Sequence, residues 1–170
     1  MSGKKRQGTG EAAEEILEWA HRVGIAQKRV AVWKAPTPLK ILQSLEGGRA
    51  ICQKTSKSGA DYYGVLKGGQ AFFAECKSCS RANFPLGNIE PHQVEFLRSA
   101  HAMGASCWVV VLWTPDTIQA KEALRKLTPN GTAIVALPWP VVDGILLAEK
   151  PTVSWQVMVE HARPDMGFYA

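Results

Sequence analysis

The 170-residue chain has only four cysteines, and its longest apolar run is the seven residues 107–113. Four cysteines are too few for the fold of a chain of this length to depend on a disulfide scaffold. A membrane-spanning helix needs about 20 apolar residues. The basic start, MSGKKRQGTG, is not followed by an apolar stretch, so we expect no secretory signal. These absences favour a soluble, cytoplasmic protein with reduced thiols.

Acidic residues are scarce in one part of the chain. Residues 19–60 contain a single acid, Glu46, whereas the whole chain carries 15 acids and a net charge of +5. The same stretch has eight bases: Arg22, Lys28, Arg29, Lys34, Lys40, Arg49, Lys54 and Lys57. A local excess of this kind suits the phosphate backbone of a nucleic acid, although a merely solvated surface explains it equally well.

The chain has no internal repeat and no low-complexity tract, and its hydrophobic content of 46% is ordinary for a globular domain. We expect a flexible basic arm over residues 1–8 and a single domain over 9–170. Within it, residues 39–60 are basic and weakly patterned, which predicts an exposed protruding loop or stalk. Residues 141–170 show no clear pattern. The tryptophans Trp33, Trp108 and Trp113 are expected in the core.

Hydrophobic spacing predicts α/β architecture, with a sheet flanked by helices. The first helix should cover residues 9–23 and end at Gly24, and Pro91 should begin a second helix that runs to residue 103. The turn Lys67-Gly68-Gly69 predicts a hairpin. Strands are expected over residues 29–33, 62–66, 70–77, 107–113 and 132–137, with a short helix over 117–127.

Two acids and a lysine carry the chemistry that the sequence suggests. Side chains alternate along a strand, so Glu75 and Lys77 share a face, and the hairpin brings Asp61 opposite Glu75. Carboxylate oxygens at such a separation suit Mg²⁺, which keeps several waters and activates one of them for attack on a phosphate. The alternative is a surface salt bridge on a polar strand.

The pair Cys76 and Cys79 has C-x-x-C spacing, which is found in zinc sites and redox centres. A zinc site needs further ligands at suitable spacing, and the other cysteines and histidines of the chain do not supply them. Reduced, partly buried thiols are therefore the favoured interpretation.

Five blocks of sequence together resemble the RecU-type Holliday junction resolvases of bacteria and their phages, within the PD-(D/E)xK nuclease superfamily. The blocks are KAPTP at 34–38, DYYG at 61–64, ECK at 75–77, FPL at 84–86 with Asn88, and His92-Gln93. The resemblance covers about residues 10–112 and implies a restriction-endonuclease-like core with a mixed central sheet and a protruding stalk. It also implies a homodimer that nicks paired strands of four-way DNA junctions with Mg²⁺, for which Mn²⁺ should substitute.

The resemblance assigns roles to individual residues. Asp61 and Glu75 match the metal-binding acids and Lys77 the catalytic lysine, while Gln93 matches a position that completes the metal site. Glu14, or less favourably Glu15, resembles an acid of the first helix that also contributes to the metal site. The residues expected to bind DNA are the bases Lys34, Lys40, Arg49, Lys54, Lys57 and Arg81.

The chain also departs from the family pattern. Gly59 stands where the family usually has Thr, and the segment between Pro38 and Asp61 is shorter than expected, which puts the junction contacts of the stalk in doubt. Two other functions therefore stay open. One is a nuclease of the same superfamily that acts on duplex or flap DNA, and the other is a non-enzymatic DNA-binding module. Whether the protein has a recombinase partner is unknown.

Overall fold

A computed structural model describes residue 18 and residues 21–36, 38–55, 59–128 and 133–163. Its main sheet has six strands: β1 (Val30–Lys34), β4 (Tyr62–Leu66), β5 (Ala71–Cys79), β7 (Ser106–Trp113), β8 (Ala133–Pro138) and β10 (Ala162–Arg163). Their order across the sheet is β1-β4-β5-β7-β8-β10. Only β5 and β7 run parallel, and the other neighbours are antiparallel. The expected mixed central sheet is confirmed.

Helices accompany this sheet. Residues 21–26 are helical (α1), and the later helices are α2 (Pro91–Ala102), α3 (Ile118–Arg125), α4 (Trp139–Leu147) and α5 (Trp155–Glu160). A small second sheet pairs β6 (Phe84–Pro85) with β9 (Thr152–Val153). None of the helices within the described ranges has the length and apolar composition that a membrane-spanning segment requires. The expected flanking of a sheet by helices is confirmed.

Strand β7 runs through the middle of the core, as its continuous apolar sequence predicts. Val109 and Val111 pack with Leu97 of α2 on one face of the sheet. Val110 and Leu112 face the other way and pack with residues of β1, β4 and β5. Because β7 is covered on both faces, its parallel neighbour β5 is held in a fixed position, and β5 carries Glu75 and Lys77.

The β4–β5 hairpin forms where the sequence predicts it. Gly68 and Gly69 have φ values of 99° and 93°, a region that only glycine enters at little cost, so the tight turn needs both. The turn sets the register, in which Tyr62 lies opposite Ala74 and Tyr63 opposite Phe73. One residue farther along, Asp61 comes level with Glu75. The hairpin therefore fixes which acids meet.

Residues 38–55 form a separate two-stranded ribbon, which we call the stalk. Its strands are β2 (Leu39–Ser44) and β3 (Ala50–Lys54), joined through a 3₁₀ turn at Glu46–Gly48. The backbone N–H of Thr55 donates to the carbonyl of Pro38 (3.1 Å) and closes the base. Every stalk side chain from Leu39 to Gln53 is exposed. The protrusion appears where it was expected, but as paired strands rather than an irregular loop.

Two local expectations were wrong, and one segment that carried no prediction proved to be helical. Helix α1 continues through Gly24 to residue 26, because a single glycine weakens a helix without ending it. Trp33 is 57% exposed, since β1 turns Val30 and Val32 toward the core and Trp33 to the opposite face. Residues 139–147 and 155–160 are helical although no pattern was seen there. The proposed basic arm lies outside the described residues.

Candidate active site

Asp61 and Glu75 meet at the end of the β4–β5 hairpin. Asp61 immediately precedes β4, and its backbone N–H donates to the carbonyl of Ala74 (3.1 Å). Its side-chain Oδ2 accepts the backbone N–H of Cys76 (2.9 Å). Asp61 is thus held to β5 by hydrogen bonds on both sides of Glu75. The structure brings together the two acids that the sequence analysis paired.

Glu75 is almost completely buried, with 1% of its surface exposed. The pKa of Glu75 is raised to about 7, chiefly by burial and then by the nearby Asp61 carboxylate, while the Lys77 ammonium opposes the rise. A carboxylate buried beside a second carboxylate is costly unless a cation or a proton joins it. Such perturbed acids cluster at functional sites.

Lys77 and Gln93 complete a hydrogen-bonded group around one oxygen of Glu75. The ammonium of Lys77 donates to Glu75 Oε1 (2.6 Å), and so does the side-chain amide of Gln93 (2.6 Å). Lys77 also donates to the amide oxygen of Gln93 (3.2 Å). The four residues Asp61, Glu75, Lys77 and Gln93, predicted from separate blocks of sequence, therefore form one constellation.

The first turn of α2 supplies an anchor that the sequence analysis missed. Glu90 is the residue at the N-terminal cap of α2, and its backbone N–H donates to Gln93 Oε1 (2.9 Å). Pro91 occupies the first turn, and Gln93 lies three residues after the cap, which is the spacing of a capping box. That spacing in Glu-Pro-His-Gln was the available signal, but it is usually sought with Ser or Thr at the cap.

The remaining oxygen of Glu75 fits a divalent cation. Oε2 of Glu75 is buried and accepts no hydrogen bond from the residues that the structure describes. An unsatisfied buried carboxylate oxygen beside a second carboxylate is a suitable ligand for Mg²⁺, which needs few protein ligands because it keeps its waters. Within the described ranges no cluster of three or more His, Cys, Asp or Glu side chains occurs. Asp61 and Glu75 are therefore the two acids that these ranges contribute to the site.

Those of the predicted DNA-binding residues whose side chains can be described are exposed. Lys40 and Arg49 belong to the stalk, Lys34 ends β1, and Arg81 follows β5. The segment between β1 and the stalk adjoins Asp61, because the backbone N–H of Ala35 donates to the carbonyl of Asp61 (2.7 Å). Glu14, Glu15, Lys57 and the side chain of Lys54 lie outside the described residues.

Cys76 and Cys79 do not form a pair. Both lie on β5, where an offset of three residues places side chains on opposite faces of the sheet. Cys79 packs in the core beside α2, whereas Cys76 packs against the opposite cluster, and none of the four cysteines, all of which are described, forms a disulfide. Burial raises the pKa of Cys79, so a smaller fraction of its thiol is ionised than in an exposed cysteine.

Gly59 lies against the ring of Phe96 from α2. A Cβ atom at position 59 would come within 2.5 Å of Phe96 Cγ, so the ring fills the space that any side chain there would need. The ring also packs edge-on against Phe73 of β5, with centroids 5.0 Å apart. Phe96 thus ties α2 and β5 to the segment that leads into Asp61, and the absence of a side chain at 59 has a steric reason.

A sequence model of the family described as Recombination protein U (RecU) matches residues 8–119. Holliday junction resolvase RecU of Shouchella clausii is 31% identical over 109 residues, which are 61% of this chain and 53% of that protein. The RecU proteins of Bacillus cytotoxicus and Lacticaseibacillus casei are 29% and 28% identical over 62% and 61% of this chain, and 55% and 52% of their own lengths.

The chain therefore spans about half the length of the curated relatives that it matches. Among solved structures, that of Archaeoglobus fulgidus Hjc, a Holliday junction resolvase, superposes with a TM-score of 0.41 and 15% identity. The superposition covers 78% of this chain and 75% of that one.

Proposed function

The chain belongs to the RecU family, and from that premise we propose that it is a Mg²⁺-dependent endonuclease that resolves four-way DNA junctions by paired nicks. The observation that carries the proposal is the buried pair of Asp61 and Glu75, held with Lys77 and Gln93 at one end of the sheet. Curated relatives that share this part of the chain are named Holliday junction resolvases.

In the proposed site Asp61 and Glu75 hold the metal, with Oε2 of Glu75 as the oxygen that is free of hydrogen bonds from described residues. Mg²⁺, or Mn²⁺ in its place, would lower the pKa of the attacking water and would supply positive charge at the scissile phosphate. Glu75 must lose its proton to act as a ligand, so its raised pKa makes metal binding release protons near neutral pH. Glu14 stays a prediction as a further acid.

Lys77 is proposed as the catalytic lysine. Its side chain is 19% exposed, so the ammonium reaches solvent while it is fixed by Glu75 and Gln93. A fixed positive charge beside the acids can donate a hydrogen bond to a phosphate oxygen on which negative charge develops. The carboxylates alone would repel the DNA backbone, and Lys77 offsets that repulsion locally.

The stalk and the bases around its root are proposed to bind the DNA. Lys40 and Arg49 are exposed, and Ala35, which precedes the stalk, donates its backbone N–H to the carbonyl of Asp61. The same role is proposed for Lys34 and Arg81, and for Lys54 and Lys57 on the sequence pattern alone. Phosphate contacts of this kind give binding that weakens as salt is added.

We further propose that two copies of the chain associate through the face of the sheet that carries Trp33. On this face Trp33 stacks on Tyr63 across β1 and β4, with centroids 6.4 Å apart, and the two side chains are 57% and 43% exposed. Beside them an open groove of about 480 Å³ is lined by Phe73, Phe96 and Met103. Large exposed apolar surfaces of this kind mark interaction sites.

A second copy is the proposed occupant because cutting two strands of a nearly two-fold symmetric junction needs two sites related by a two-fold axis. Sedimentation of the wild type should give a dimer, and Tyr63→Lys should give a monomer that binds junctions more weakly. A wild-type monomer with full junction cleavage would contradict this interface.

The substrate is tested by cleavage of a four-way junction, a flap and a linear duplex side by side in Mg²⁺. We expect at least a hundredfold faster cleavage of the junction than of the duplex of equal sequence. Equal cleavage of all three would reassign the protein as a general duplex or flap nuclease. Junction binding with no cleavage in Mg²⁺ or Mn²⁺ would favour a non-enzymatic DNA-binding module.

A further inference from the structure

The loop that leaves β5, over residues 80–83, is hydrogen-bonded to the neighbouring strand and to the segment after it. The carbonyl of Arg81 accepts the indole N–H of Trp113 at the end of β7 (2.9 Å). The backbone N–H of Ala82 donates to Oδ1 of Asp116, which lies between β7 and α3 (3.0 Å). The backbone of this loop, which we call the 80–83 loop, is therefore held in place although most of its side chains are exposed.

The end of the 80–83 loop is held by the C-terminal part of the chain. The side-chain oxygen of Asn83 accepts the backbone N–H of Trp155, the first residue of α5 (2.9 Å). The next residue, Phe84, is completely buried and pairs with Val153 of β9. Both partners lie beyond residues 8–119, which the RecU family model matches. The C-terminal part thus contributes to the position of a loop that begins directly after the strand of the acid site.

The side chain of Arg81 is available, in contrast to the backbone that carries it. It is exposed, and its guanidinium forms no ion pair with the residues that the structure describes. The guanidinium of Arg98, by comparison, is occupied by Asp143, to which its Nε donates (3.0 Å). A guanidinium that has no protein partner can bind a phosphate through two parallel N–H donors.

We propose that the 80–83 loop is a preformed phosphate-binding loop, in which Arg81 binds a DNA phosphate close to the scissile one and Asp116 is the positioning residue. This rests on the proposed nuclease function, because it places a DNA contact beside that site. Arg81 follows Lys77 by four residues, so their Cα atoms are at most about 14 Å apart. Because the loop backbone is already ordered, DNA binding has to order only the Arg81 side chain, which reduces the entropy lost on association.

The surroundings of Asp116 separate a positioning role from an effect of its charge. Its side chain is exposed and forms no ion pair within the described part of the chain, but its Oδ1 holds the N–H of Ala82. A negative charge near DNA weakens binding by itself, so removal of the carboxylate would then strengthen it. If Asp116 positions Arg81, loss of the Oδ1 acceptor weakens binding instead. The two roles therefore predict opposite effects.

The first test compares Asp116→Ala with Asp116→Asn. Both variants remove the charge, but asparagine keeps an oxygen that can accept the N–H of Ala82. Junction affinity is measured by gel shift in Ca²⁺ with the full-length chains, and melting temperatures establish that both are folded. We expect Asp116→Asn to bind at least as tightly as wild type, and Asp116→Ala to bind about fivefold more weakly than Asp116→Asn. Equal affinities of the two variants would overturn the proposal.

A double-mutant cycle with Arg81 shows whether Asp116 acts through it. Arg81→Ala should weaken junction binding about tenfold and reduce the salt slope by about 0.9, since one phosphate contact is lost. In the Arg81→Ala background, Asp116→Ala and Asp116→Asn should bind equally, because the group that Asp116 positions is gone. A fivefold difference that persists without Arg81 would mean that Asp116 supports some other contact, and would overturn the proposal.

The control for charge is Arg125→Ala, which removes an exposed arginine from the last turn of α3. Its junction affinity should stay within twofold of wild type, and a loss equal to that of Arg81→Ala would overturn the proposal in favour of net charge. All of these are binding measurements, so they decide the question even if no DNA is cleaved. Absence of cleavage with the expected binding results would contradict the proposed function alone.

Discussion

The stalk ends at residue 55, shortly before Asp61 of the acid site, but the two regions are built in opposite ways. At the site, Glu75 is 1% exposed, and hydrogen bonds from β5 and α2 hold every functional side chain. In the stalk, all side chains from Leu39 to Gln53 are exposed, and among the described strands β2 and β3 pair with each other alone. A two-stranded ribbon of this kind is marginally stable alone.

The difference follows from the task proposed for each region. Chemistry on a phosphate needs ligands and charges that are already in position, since their reorganisation would add to the barrier. Binding of a branched DNA needs positively charged side chains that extend away from the core. Exposed basic residues on a two-stranded ribbon meet both needs. Changes at the site should therefore affect kcat, and changes in the stalk should affect affinity.

A large loss of turnover is expected from Lys77→Met. The variant keeps the bulk of the side chain but removes the ammonium that bonds to Glu75 and Gln93, so kcat should fall at least 10²-fold. Junction affinity, measured by gel shift in Ca²⁺, should change less than threefold. A loss of junction affinity with kcat unchanged would contradict the claim that changes at the site affect kcat and changes in the stalk affect affinity.

Glu75→Gln should alter the pH dependence of stability. In the metal-free protein the pKa of Glu75 is raised from 4.5 to about 7, so between these values the folded state holds a proton that the unfolded chain has released. Stability contributed by this proton is present at low pH and is lost as pH rises through 7, by about 3 kcal/mol in total. Urea unfolding in EDTA at pH 5 and pH 8 measures the loss.

In Glu75→Gln this pH dependence should be absent, and the variant should be more stable than wild type at pH 8. Wild-type and variant stabilities that change in parallel between pH 5 and pH 8 would show that Glu75 does not titrate in this window. The same variant at saturating metal should have no cleavage activity, which separates its gain in stability from its loss of function.

Gly59→Ala tests the packing that fixes the loop before Asp61. The added Cβ would meet the Phe96 ring at 2.5 Å, and overpacking of this kind costs about 2 kcal/mol. Gly87→Ala is the control, because no heavy atom lies within 4 Å of its Cβ position. Addition of Phe96→Leu to Gly59→Ala should restore part of the lost melting temperature. Equal melting temperatures of the two alanine variants would contradict the contact.

The smallest effect, and the one confined to the stalk, is expected from the double variant Lys40→Ala/Arg49→Ala. Loss of two phosphate contacts should weaken junction binding about tenfold and reduce the salt slope by about 1.8, with kcat at saturating DNA unchanged. The control, Lys121→Ala/Lys126→Ala, changes the charge equally in and just after α3 and should leave affinity unchanged. Equal losses in both variants would mean that net charge alone governs binding.

The site was more predictable from the sequence than the stalk because its signals are local. A Gly-Gly turn fixes the register of β4 and β5, and strand alternation then places Glu75 and Lys77 on one face opposite Asp61. Pro91 marks the start of α2. The stalk strands lack alternation because all their side chains are exposed, so no periodic pattern distinguishes them from a loop.

Other features depend on long-range packing that alternation does not reveal. The pattern of β1 separates Trp33 from Val30 and Val32, but it does not tell which face is covered, and the prediction of a core Trp33 was wrong. The engagement of Gln93 by Glu90, Lys77 and Glu75 joins residues from three segments and required the fold.

The central claim is that the pair of Asp61 and Glu75 performs metal-dependent cleavage of branched DNA. Its most direct test compares wild type and Asp61→Asn on a labelled four-way junction, in Mg²⁺ and in EDTA, with binding measured in parallel. We predict paired symmetric nicks by wild type in Mg²⁺ only, and no cleavage by Asp61→Asn at nearly unchanged affinity. Full cleavage by Asp61→Asn, or by wild type in EDTA, would contradict the account.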